Sequence, residues 1–452
     1  MTEAHAYAQT LGEEQSIWFK ISPFVSAENP MEILMRMSEK RGSCFPVRLK
    51  SEKIYFLSDI DHIRHVLVDN VDNYRKYFEG LKPVFGKAMI TIDGTLWQKI
   101  RKPQQPFFHP NVYEEYFPHL MSAVRSKIDE WSAFAADGKE MEVLEQTWGL
   151  AADMACRALF DRKMPFNPEA VFGAVKAYTD VANHKEIRTR KMSGEVDEVS
   201  DEETAAQAIA AWLSLPDAVT DAKPIDHRER TLLKMLQQAE ADPDAPEFDH
   251  QQVLDEIKQY LWAGTETTAL TLGWIFYLLA QHPEVAEKIR REGEEVYGDR
   301  EPNWDDIQKL NYTRAVMLET LRLYPPAWAL MRTAAEKDEI GGHQIEPGDK
   351  MVLSPYMVHH NPKYWENPEK FDPGRFLPGR IKKRVKYSYL PFGPGKRFCL
   401  GGQLSQLETV LALTMLLRRF RLEYAGDGPA KFSASVMLTP KGGLPFRVHT
   451  LS

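Results

Sequence analysis

The sequence predicts a mainly α-helical protein (α+β) with a small β-rich lobe. Helical periodicity runs through several long windows, and the longest, which follows Asp249, continues for about 32 residues. Segments rich in β-branched and aromatic residues are concentrated in residues 45–57. At 452 residues the chain exceeds the usual size of a single core. Two cooperating lobes and one large, mainly helical domain are both compatible with that length.

Composition excludes several classes of function. The net charge of −8 argues against nucleic acid as a main partner. No window approaches about 18 uninterrupted apolar residues, so no membrane span is predicted, and residues 1–24 lack the apolar core of a signal peptide. Cys44, Cys156 and Cys399 make no disulfide framework and suit a reducing compartment. We therefore expect a soluble, cytoplasmic protein.

Residues 31–70 are expected to form one wall of the fold. Pro30 favours the start of a helix. Phe45–Leu49 and Ile54–Leu57 have the composition of two strands and are close enough to pair as a hairpin. Residues 59–70 then return to helical spacing.

A loop punctuated by Gly and Pro, Phe78 to Met89, precedes a short helix. The loop carries apolar side chains that would serve equally well as anchors of a surface loop. In the helix, Trp97 and Arg101 lie at i and i+4 and share one face. An indole N–H and a guanidinium on one face suit a carboxylate, although plain surface packing explains many such pairs.

The middle of the chain is predicted to be helical with polar interruptions. Residues 121–134 and 145–160 have helical periodicity. The acidic run 195–203 is better explained as a solvated loop than as a binding site. Residues 237–247, rich in Ala, Asp and Pro, are predicted to be a polar linker.

The longest helix is predicted to begin after Asp249, a capping residue, and to stop at Pro283. At 1.5 Å per residue it would be about 48 Å long, enough to cross a domain. Its middle, residues 263–268 (AGTETT), is polar and contains a glycine that costs about 1 kcal/mol of helix propensity relative to alanine. Threonines there also divert hydrogen bonds from the backbone. Such a weak point predicts a local bend that admits a water or a ligand.

A later helix, predicted from near Trp304 to Pro325, carries an acidic and a basic residue three positions apart. Glu319 and Arg322 lie on one face. Taken alone, they would be a surface pair that contributes about 0.3–0.5 kcal/mol.

Cys399 lies between a Gly-rich turn and a helix predicted from Leu400 to about Arg419. A thiol at a helix N-terminus faces unpaired N–H groups and the positive end of the helix dipole, which favour the thiolate. Glycines in the turn permit tight backbone geometry and close approach of a flat cofactor. One thiolate suits a single metal position, whereas zinc and iron–sulfur sites need several cysteines. The alternative for a lone cysteine is burial as a small apolar side chain.

The stretch FGPGKRFCLG, Phe392 to Gly401, resembles the haem-binding loop of the cytochrome P-450 (haem-thiolate monooxygenase) family. Three further motifs follow that family's chain order, namely AGTETT at 263–268, ETLR at 319–322 and FDPGRF at 371–376. The resemblance covers the chain from about Pro30 onward. It implies the triangular haem-thiolate fold in one domain, residues 1–452. The β-rich part would be about residues 30–70 and the helical haem-binding core about 90–420.

The resemblance also implies roles for individual side chains. Cys399 is expected to hold the iron of iron protoporphyrin IX (heme b, here haem), and Glu266 and Thr267 to deliver protons to oxygen. A buried structural charge network is expected from Glu319, Arg322 and Arg375. The residues expected to contact the haem are Trp97, Arg101, Ala263, Gly264, Arg332, Phe392, Gly395, Arg397 and Gly401. The residues expected to line the substrate pocket are Phe78, Leu81, Val84, Phe85, Met89, Tyr260, Ala327, Trp328, Leu330 and Met437.

The implied reaction inserts one atom of O₂ into an apolar small molecule, by hydroxylation or epoxidation. Electrons are expected from NAD(P)H through separate proteins, most simply a ferredoxin and its reductase. The basic run Arg380–Lys386 is either a docking patch for such an acidic donor or a solvated loop. Two alternatives stay open. A haem-thiolate peroxygenase or isomerase needs no redox partner, and a non-enzymatic haem sensor has no need of the polar stretch in the longest helix.

Overall fold

The computed structural model describes residues 30–49, 52–77, 81–167, 212–434 and 436–451. Helices dominate, and the strands form small sheets. The α-helices, numbered in chain order, are α1 (Pro30–Arg41), α2 (Ile60–Arg64), α3 (Lys82–Phe85), α4 (Gly94–Gln104), α5 (Tyr113–Asp137), α6 (Val143–Ala155), α7 (Leu215–Asp221), α8 (Leu232–Glu240), α9 (His250–Gln281), α10 (Pro283–Tyr297), α11 (Trp304–Ile307), α12 (Asn311–Leu323), α13 (Pro355–His359), α14 (Pro378–Ile381) and α15 (Gly402–Arg419). The strands are β1 (Cys44–Leu49), β2 (Glu52–Leu57), β3 (Tyr74–Lys76), β4 (Glu140–Glu142), β5 (Leu330–Ala334), β6 (Asp338–Ile340), β7 (His343–Ile345), β8 (Lys350–Leu353), β9 (Phe420–Tyr424), β10 (Phe432–Ala434), β11 (Leu438–Pro440) and β12 (Pro445–Thr450).

The longest described helix, α9, has the limits that the sequence predicts. The Asp249 side chain caps it by accepting a hydrogen bond from the Gln252 N–H at 2.8 Å, and Pro283 opens the next helix. Its polar middle does not interrupt it, because residues 250–281 are one continuous α-helix of 32 residues. α6, α12 and α15 pack around α9, so the polar stretch lies deep in the molecule.

A five-stranded sheet, with strand order β1-β2-β8-β5-β3, forms the β-rich lobe. β1 and β2 pair as the predicted antiparallel hairpin. The sheet is completed by β3 and by β5 and β8, from residues 330–353, so the lobe extends beyond residues 30–70. Local composition reveals a strand but not its distant partner. The antiparallel pairing of β3 with β5 places Lys76 opposite Arg332.

Several predicted boundaries differ from the structure. The helix expected from Trp304 onward is two helices, because α11 ends at Ile307 and a turn at residues 308–310 separates it from α12. The first residues of the expected polar linker, 237–240, belong to α8. The acidic run 195–203 lies outside the described residues.

Candidate active site

The loop before α15 holds Cys399 by backbone contacts. The Cys399 N–H donates to the Phe392 carbonyl at 3.0 Å, which closes the loop on itself. Gly395 has φ +71°, and a Cβ there would lie 2.7 Å from the Leu67 carbonyl oxygen. Glycine at 395 is therefore required by backbone packing, a reason that differs from the cofactor approach expected from the sequence. Gly401 has no such neighbour within 4 Å.

Of the three cysteines, all within the described segments, Cys399 alone is exposed. Burial raises the pKa of Cys44 to about 11 and that of Cys156 further, which keeps both as thiols. Desolvation also raises the pKa of Cys399, but the N–H groups of Gly401 and Gly402 and the Arg101 guanidinium oppose it. A thiol that is both exposed and desolvated lines an internal surface. Its donors favour the thiolate.

A group of cations lies around Trp97 and comes from four separate segments. Lys76 Nζ is 5.2 Å and Arg101 Cζ 5.1 Å from the Trp97 ring centroid. Arg397 Nη2 binds both carboxylate oxygens of Asp93, at 2.6 and 2.7 Å. Because Arg332 lies opposite Lys76 and is electrostatically coupled to Arg397, it completes the group. We call Lys76, Arg101, Arg332 and Arg397 the cation group.

The cation group is short of negative charge. Among the described residues, Asp93 is the carboxylate that it binds. Burial and mutual repulsion lower the pKa of Lys76 to about 7 and that of Arg332 to about 9. The Nε atoms of Arg101, Arg332 and Arg397 are buried, with no hydrogen-bond partner among the described residues. Buried cations need anionic partners, and the two propionates of haem are such partners, so these residues fit the group.

The polar stretch of α9 is accessible although most of the helix is buried. Ala263, Gly264, Glu266 and Thr267 are all partly exposed. Thr267 donates its hydroxyl hydrogen to the Ala263 carbonyl at 2.8 Å, which leaves the lone pairs of that oxygen able to accept. A Cβ at Gly264 would meet Ala155 Cβ at 3.6 Å, an ordinary contact, so sterics do not require glycine on that side.

Glu266 has the properties of a group that exchanges protons near neutrality. Burial raises its pKa to about 7, and a hydrogen bond from the Trp262 side chain opposes that rise. Its partial accessibility and strong desolvation together place it on an internal wall. A carboxyl with a pKa near the working pH is suited to general acid–base chemistry.

The polar stretch and the cysteine loop meet where α15 packs on α9. Thr268 Oγ1 lies 3.3 Å from Ser405 Oγ, six positions after Cys399. Thr268 also bonds to Glu408, whose pKa burial raises to about 8. The two motifs, separated widely in sequence, therefore share one region of the interior.

The predicted structural charges are buried and in contact. Glu319 and Arg322 are joined by two hydrogen bonds of 2.7 and 2.9 Å, and neither side chain is exposed. Arg375 Nε is 3.4 Å from Glu319 Oε1. Burial raises the pKa of Glu319 while both arginines oppose the rise. Removing one member of a buried ion pair costs about 3–5 kcal/mol.

Most of the predicted pocket residues lie on three segments near this region. Leu81, Val84, Phe85 and Met89 are buried in the segment between β3 and α4, and the Phe85 ring is 5.1 Å from that of Trp262. Ala327 and Leu330 are partly exposed, and Met437 lies in the turn between β10 and β11. Phe78 lies outside the described residues.

Two further predicted pocket residues pack against neighbouring elements. Tyr260 stacks on Phe108 at 5.4 Å and donates to Gln104 at 2.6 Å, so its side chain is directed at α4 and the turn after it. Trp328 is fully buried in the core beneath the five-stranded sheet. Both side chains are buried, as are those of Leu81, Val84 and Phe85, and their place in the pocket stays a prediction.

Sequence reasoning missed three residues of the site. Lys76 and Asp93 belong to no motif, and strand pairing and packing bring them to Arg332 and Arg397. Trp262 precedes AGTETT directly, and its i, i+4 spacing to Glu266 was the available signal.

Comparison with known proteins agrees with this arrangement. The sequence profile of the family described as Cytochrome P450 matches residues 12–445. Cyclooctatin synthase of Streptomyces melanosporofaciens is 30% identical over 88% of this chain and 86% of its own. Cyclooctat-9-en-7-ol 5-monooxygenase of the same organism is 29% identical over 91% and 87%. The solved cytochrome P450DA heme domain superposes with a TM-score of 0.82 at 20% identity, over 96% of this chain and 95% of that one.

The match extends across nearly the whole chain and includes named monooxygenases. None of the helices in the described segments has the length and hydropathy needed to cross a membrane. Members of this family take electrons from redox partners and act on small molecules. The chain therefore belongs to the cytochrome P450 family and is a haem-dependent, haem-thiolate monooxygenase that incorporates oxygen from O₂.

Proposed function

We propose that this monooxygenase hydroxylates or epoxidises an apolar cyclic small molecule, with Cys399 as the iron ligand and Glu266 and Thr267 as the proton-delivering pair. One observation carries the proposal. The exposed, desolvated thiol of Cys399 and the accessible polar stretch of α9 lie in one region, joined by the contact between Thr268 and Ser405. No other cysteine of the chain is exposed.

The cation group and Trp97 would hold the haem propionates, and the Cys399 thiolate would hold the iron. Neutralising part of the surplus positive charge would stabilise the folded protein, because Lys76, Arg332 and Arg397 repel one another. When bound, the haem supplies the binding and reductive activation of O₂, which a thiolate ligand favours.

Glu266 and Thr267 would supply protons from the polar stretch of α9. Because the Thr267 hydroxyl donates to the Ala263 carbonyl, its oxygen is oriented to accept a hydrogen bond from water. Glu266, with a pKa raised by burial to about 7, can release a proton and regain it at neutral pH. The pair would thus combine an oriented acceptor with a proton reservoir one position away.

The pocket candidates support an apolar substrate. Seven of the candidates are uncharged and apolar: Leu81, Val84, Phe85, Met89, Ala327, Leu330 and Met437. The name of one relative, cyclooctat-9-en-7-ol 5-monooxygenase, gives a cyclic alkenol as the substrate of that protein. We therefore favour cyclic hydrocarbons and their alcohols as the substrate class.

Electrons would come from a separate ferredoxin and its NAD(P)H-dependent reductase. In the basic run, Arg384 lies over the rings of Tyr389 and Phe376, at 4.7 and 5.5 Å, and Arg380 pairs with Asp372. Lys382 and Lys383 are exposed and form no ion pair with a described residue. These two lysines are thus the members of the run best placed to meet an acidic donor.

The experiment is an absorbance spectrum of the reduced, carbon monoxide-treated holoprotein. We expect the spectrum of a thiolate ligand in the wild type and its loss in Cys399→Ser, with product formed from NADPH, ferredoxin and reductase. A histidine-type spectrum in the wild type, or a thiolate spectrum in Cys399→Ser, would contradict the proposal. Turnover with peroxide but none with NADPH and donor proteins would favour the peroxygenase alternative.

A further inference from the structure

Outside the residues proposed to act on oxygen, the first half of α9 carries a buried polar cluster. We call Gln252, Asp255, Glu256 and Gln259 the loop clamp, and each is at most 4% exposed. They face the loop between α3 and α4, residues 86–92. Because polar side chains are buried at a cost unless they are bonded, their partners indicate what the cluster does.

The loop clamp binds backbone groups of this loop. Asp255 Oδ2 accepts from the Lys87 N–H at 2.8 Å, Glu256 Oε1 from the Met89 N–H at 2.7 Å, and Gln259 Oε1 from the Ile90 N–H at 2.6 Å. Gln252 donates to the Lys87 carbonyl at 3.0 Å. The loop is thereby fixed to α9 through its main chain, whatever its side chains contact.

Glu256 is the centre of the loop clamp. Its Oε1 also accepts from Gln252 at 2.9 Å, and its Oε2 accepts from Gln259 at 2.8 Å and Gln104 at 3.0 Å. Four N–H donors saturate the acceptor positions of one carboxylate. Burial raises the pKa of Glu256 to about 7, and the bonds from Gln104, Met89 and Gln252 oppose that rise. A glutamine in this place would turn an NH₂ group toward two of these donors.

The fit between loop and helix is close. Gly86 has φ +55°, and a Cβ there would lie 2.0 Å from Asp255 Oδ2, so any side chain at this position would displace the clamp. Val84 and Phe85 directly precede this glycine, and Met89 follows it. The loop clamp therefore fixes the backbone that carries three of the apolar pocket candidates.

We propose that Glu256, with Asp255 and Gln259, is a positioning residue that holds the wall at residues 84–89 and so determines how well bulky ligands are bound. The inference rests on the proposed function in one respect, that this wall lines the substrate pocket. The loop clamp acts through the loop and does not touch the substrate. A wall fixed in advance binds more tightly, because binding then need not order it.

The test compares Glu256→Gln with the wild-type holoenzyme. Hydrogen–deuterium exchange at amides 87–90 reports the clamp directly, and we expect exchange to be about 10- to 100-fold faster in the variant. Absorbance titrations with imidazole and with 4-phenylimidazole, which differ by one ring, report the wall. We expect the affinity for 4-phenylimidazole to fall about tenfold and that for imidazole to be unchanged.

Glu292→Gln is the matched control. Glu292 accepts backbone N–H bonds from Tyr312 and Thr313, at 2.6 and 2.8 Å, at the start of α12. The Glu292→Gln variant should leave hydrogen–deuterium exchange at amides 87–90 and the affinities for imidazole and 4-phenylimidazole unchanged. If Glu256→Gln fails to hold haem, Gln259→Ala, which removes the bond to Ile90, should show the same changes.

Unchanged hydrogen–deuterium exchange at amides 87–90 in the clamp variants overturns the inference. Faster exchange overturns it too if the ratio of the affinities for 4-phenylimidazole and imidazole stays at the wild-type value. The proposed function fails in a different way, through the carbon monoxide spectrum of the wild type, so the two failures are distinguishable.

Discussion

Replacing Trp262 by Phe tests whether a neighbour on α9 adjusts the Glu266 carboxyl. The two residues are four positions apart, and the hydrogen bond from Trp262 lowers a pKa that burial raises to about 7. The Trp262 ring also packs on Phe85 at 5.1 Å. Phenylalanine keeps an aromatic ring at this contact and removes the N–H donor.

The size of the effect follows from the bond that is lost. A hydrogen bond to a charged group contributes about 1.5–3 kcal/mol net, and one pKa unit corresponds to about 1.4 kcal/mol. Because Glu266 is partly accessible, water replaces part of the bond and the lower figure applies. The lost donor stabilised the anion, so we expect the pKa of Glu266 to rise by about one unit.

The assay is an infrared pH titration of the protonated carboxyl band, assigned by its loss in Glu266→Gln. Trp212→Phe is the control, since Trp212 packs on the same Phe85 at 6.1 Å while its indole N–H has no partner among the described residues. An unchanged midpoint in Trp262→Phe, or an equal shift in Trp212→Phe, would refute the reasoning.

Three further outcomes follow from the site. Thr267→Ala should keep haem and substrate binding but lower product per NADPH and raise hydrogen peroxide, because positioned proton transfer typically contributes about 10²–10⁴-fold; product per NADPH at the wild-type value would contradict the proton path. Replacing Lys382 and Lys383 by Ala should slow reduction of the haem by the donor, most at low salt. If the variant and the wild type are reduced at equal rates at low salt, the two lysines belong to a solvated loop and do not bind the donor. Burial raises the pKa of Glu408 from 4.5 to about 8 in the folded protein. The stability that this carboxyl contributes is therefore complete below pH 4.5 and is lost as the pH rises through 8, and Glu408→Gln removes that dependence. Measured by denaturant unfolding, the variant should gain stability relative to wild type between pH 5 and pH 8, by at most about 4–5 kcal/mol, and a constant difference would argue against the raised pKa.

Local chemistry explains which parts of the fold were predictable. The limits of α9 are encoded by Asp249 and Pro283, and the hairpin β1–β2 by adjacent strand-like segments. The order of β8 and β5 in the same sheet depends on pairing between distant segments, which local composition does not encode. Trp304 begins a helix as expected, and a capping box at Asn303 marks its start, but turn hydrogen bonds at Lys309 and Leu310 follow after one turn.

The candidate site shows the same division. Motif spacing predicts Cys399, Glu266 and Thr267, because each lies in a short local motif that can be recognised without its tertiary neighbours. Lys76 lies beside Arg332 only through the pairing of β3 with β5. Glu256 reaches the loop across the contact between α9 and residues 86–92, so its burial and its role depend on tertiary packing.

The order of strands in the β-rich lobe constrains how the protein is made. β2 has its hairpin partner β1 at once, but its other neighbour, β8, emerges from the ribosome roughly 300 residues later. Until then β2 is an open sheet edge with apolar side chains, a form prone to pairing with other chains. Fragments that end before residue 350 should therefore aggregate, and slower synthesis of the middle of the chain should lower the yield of folded protein.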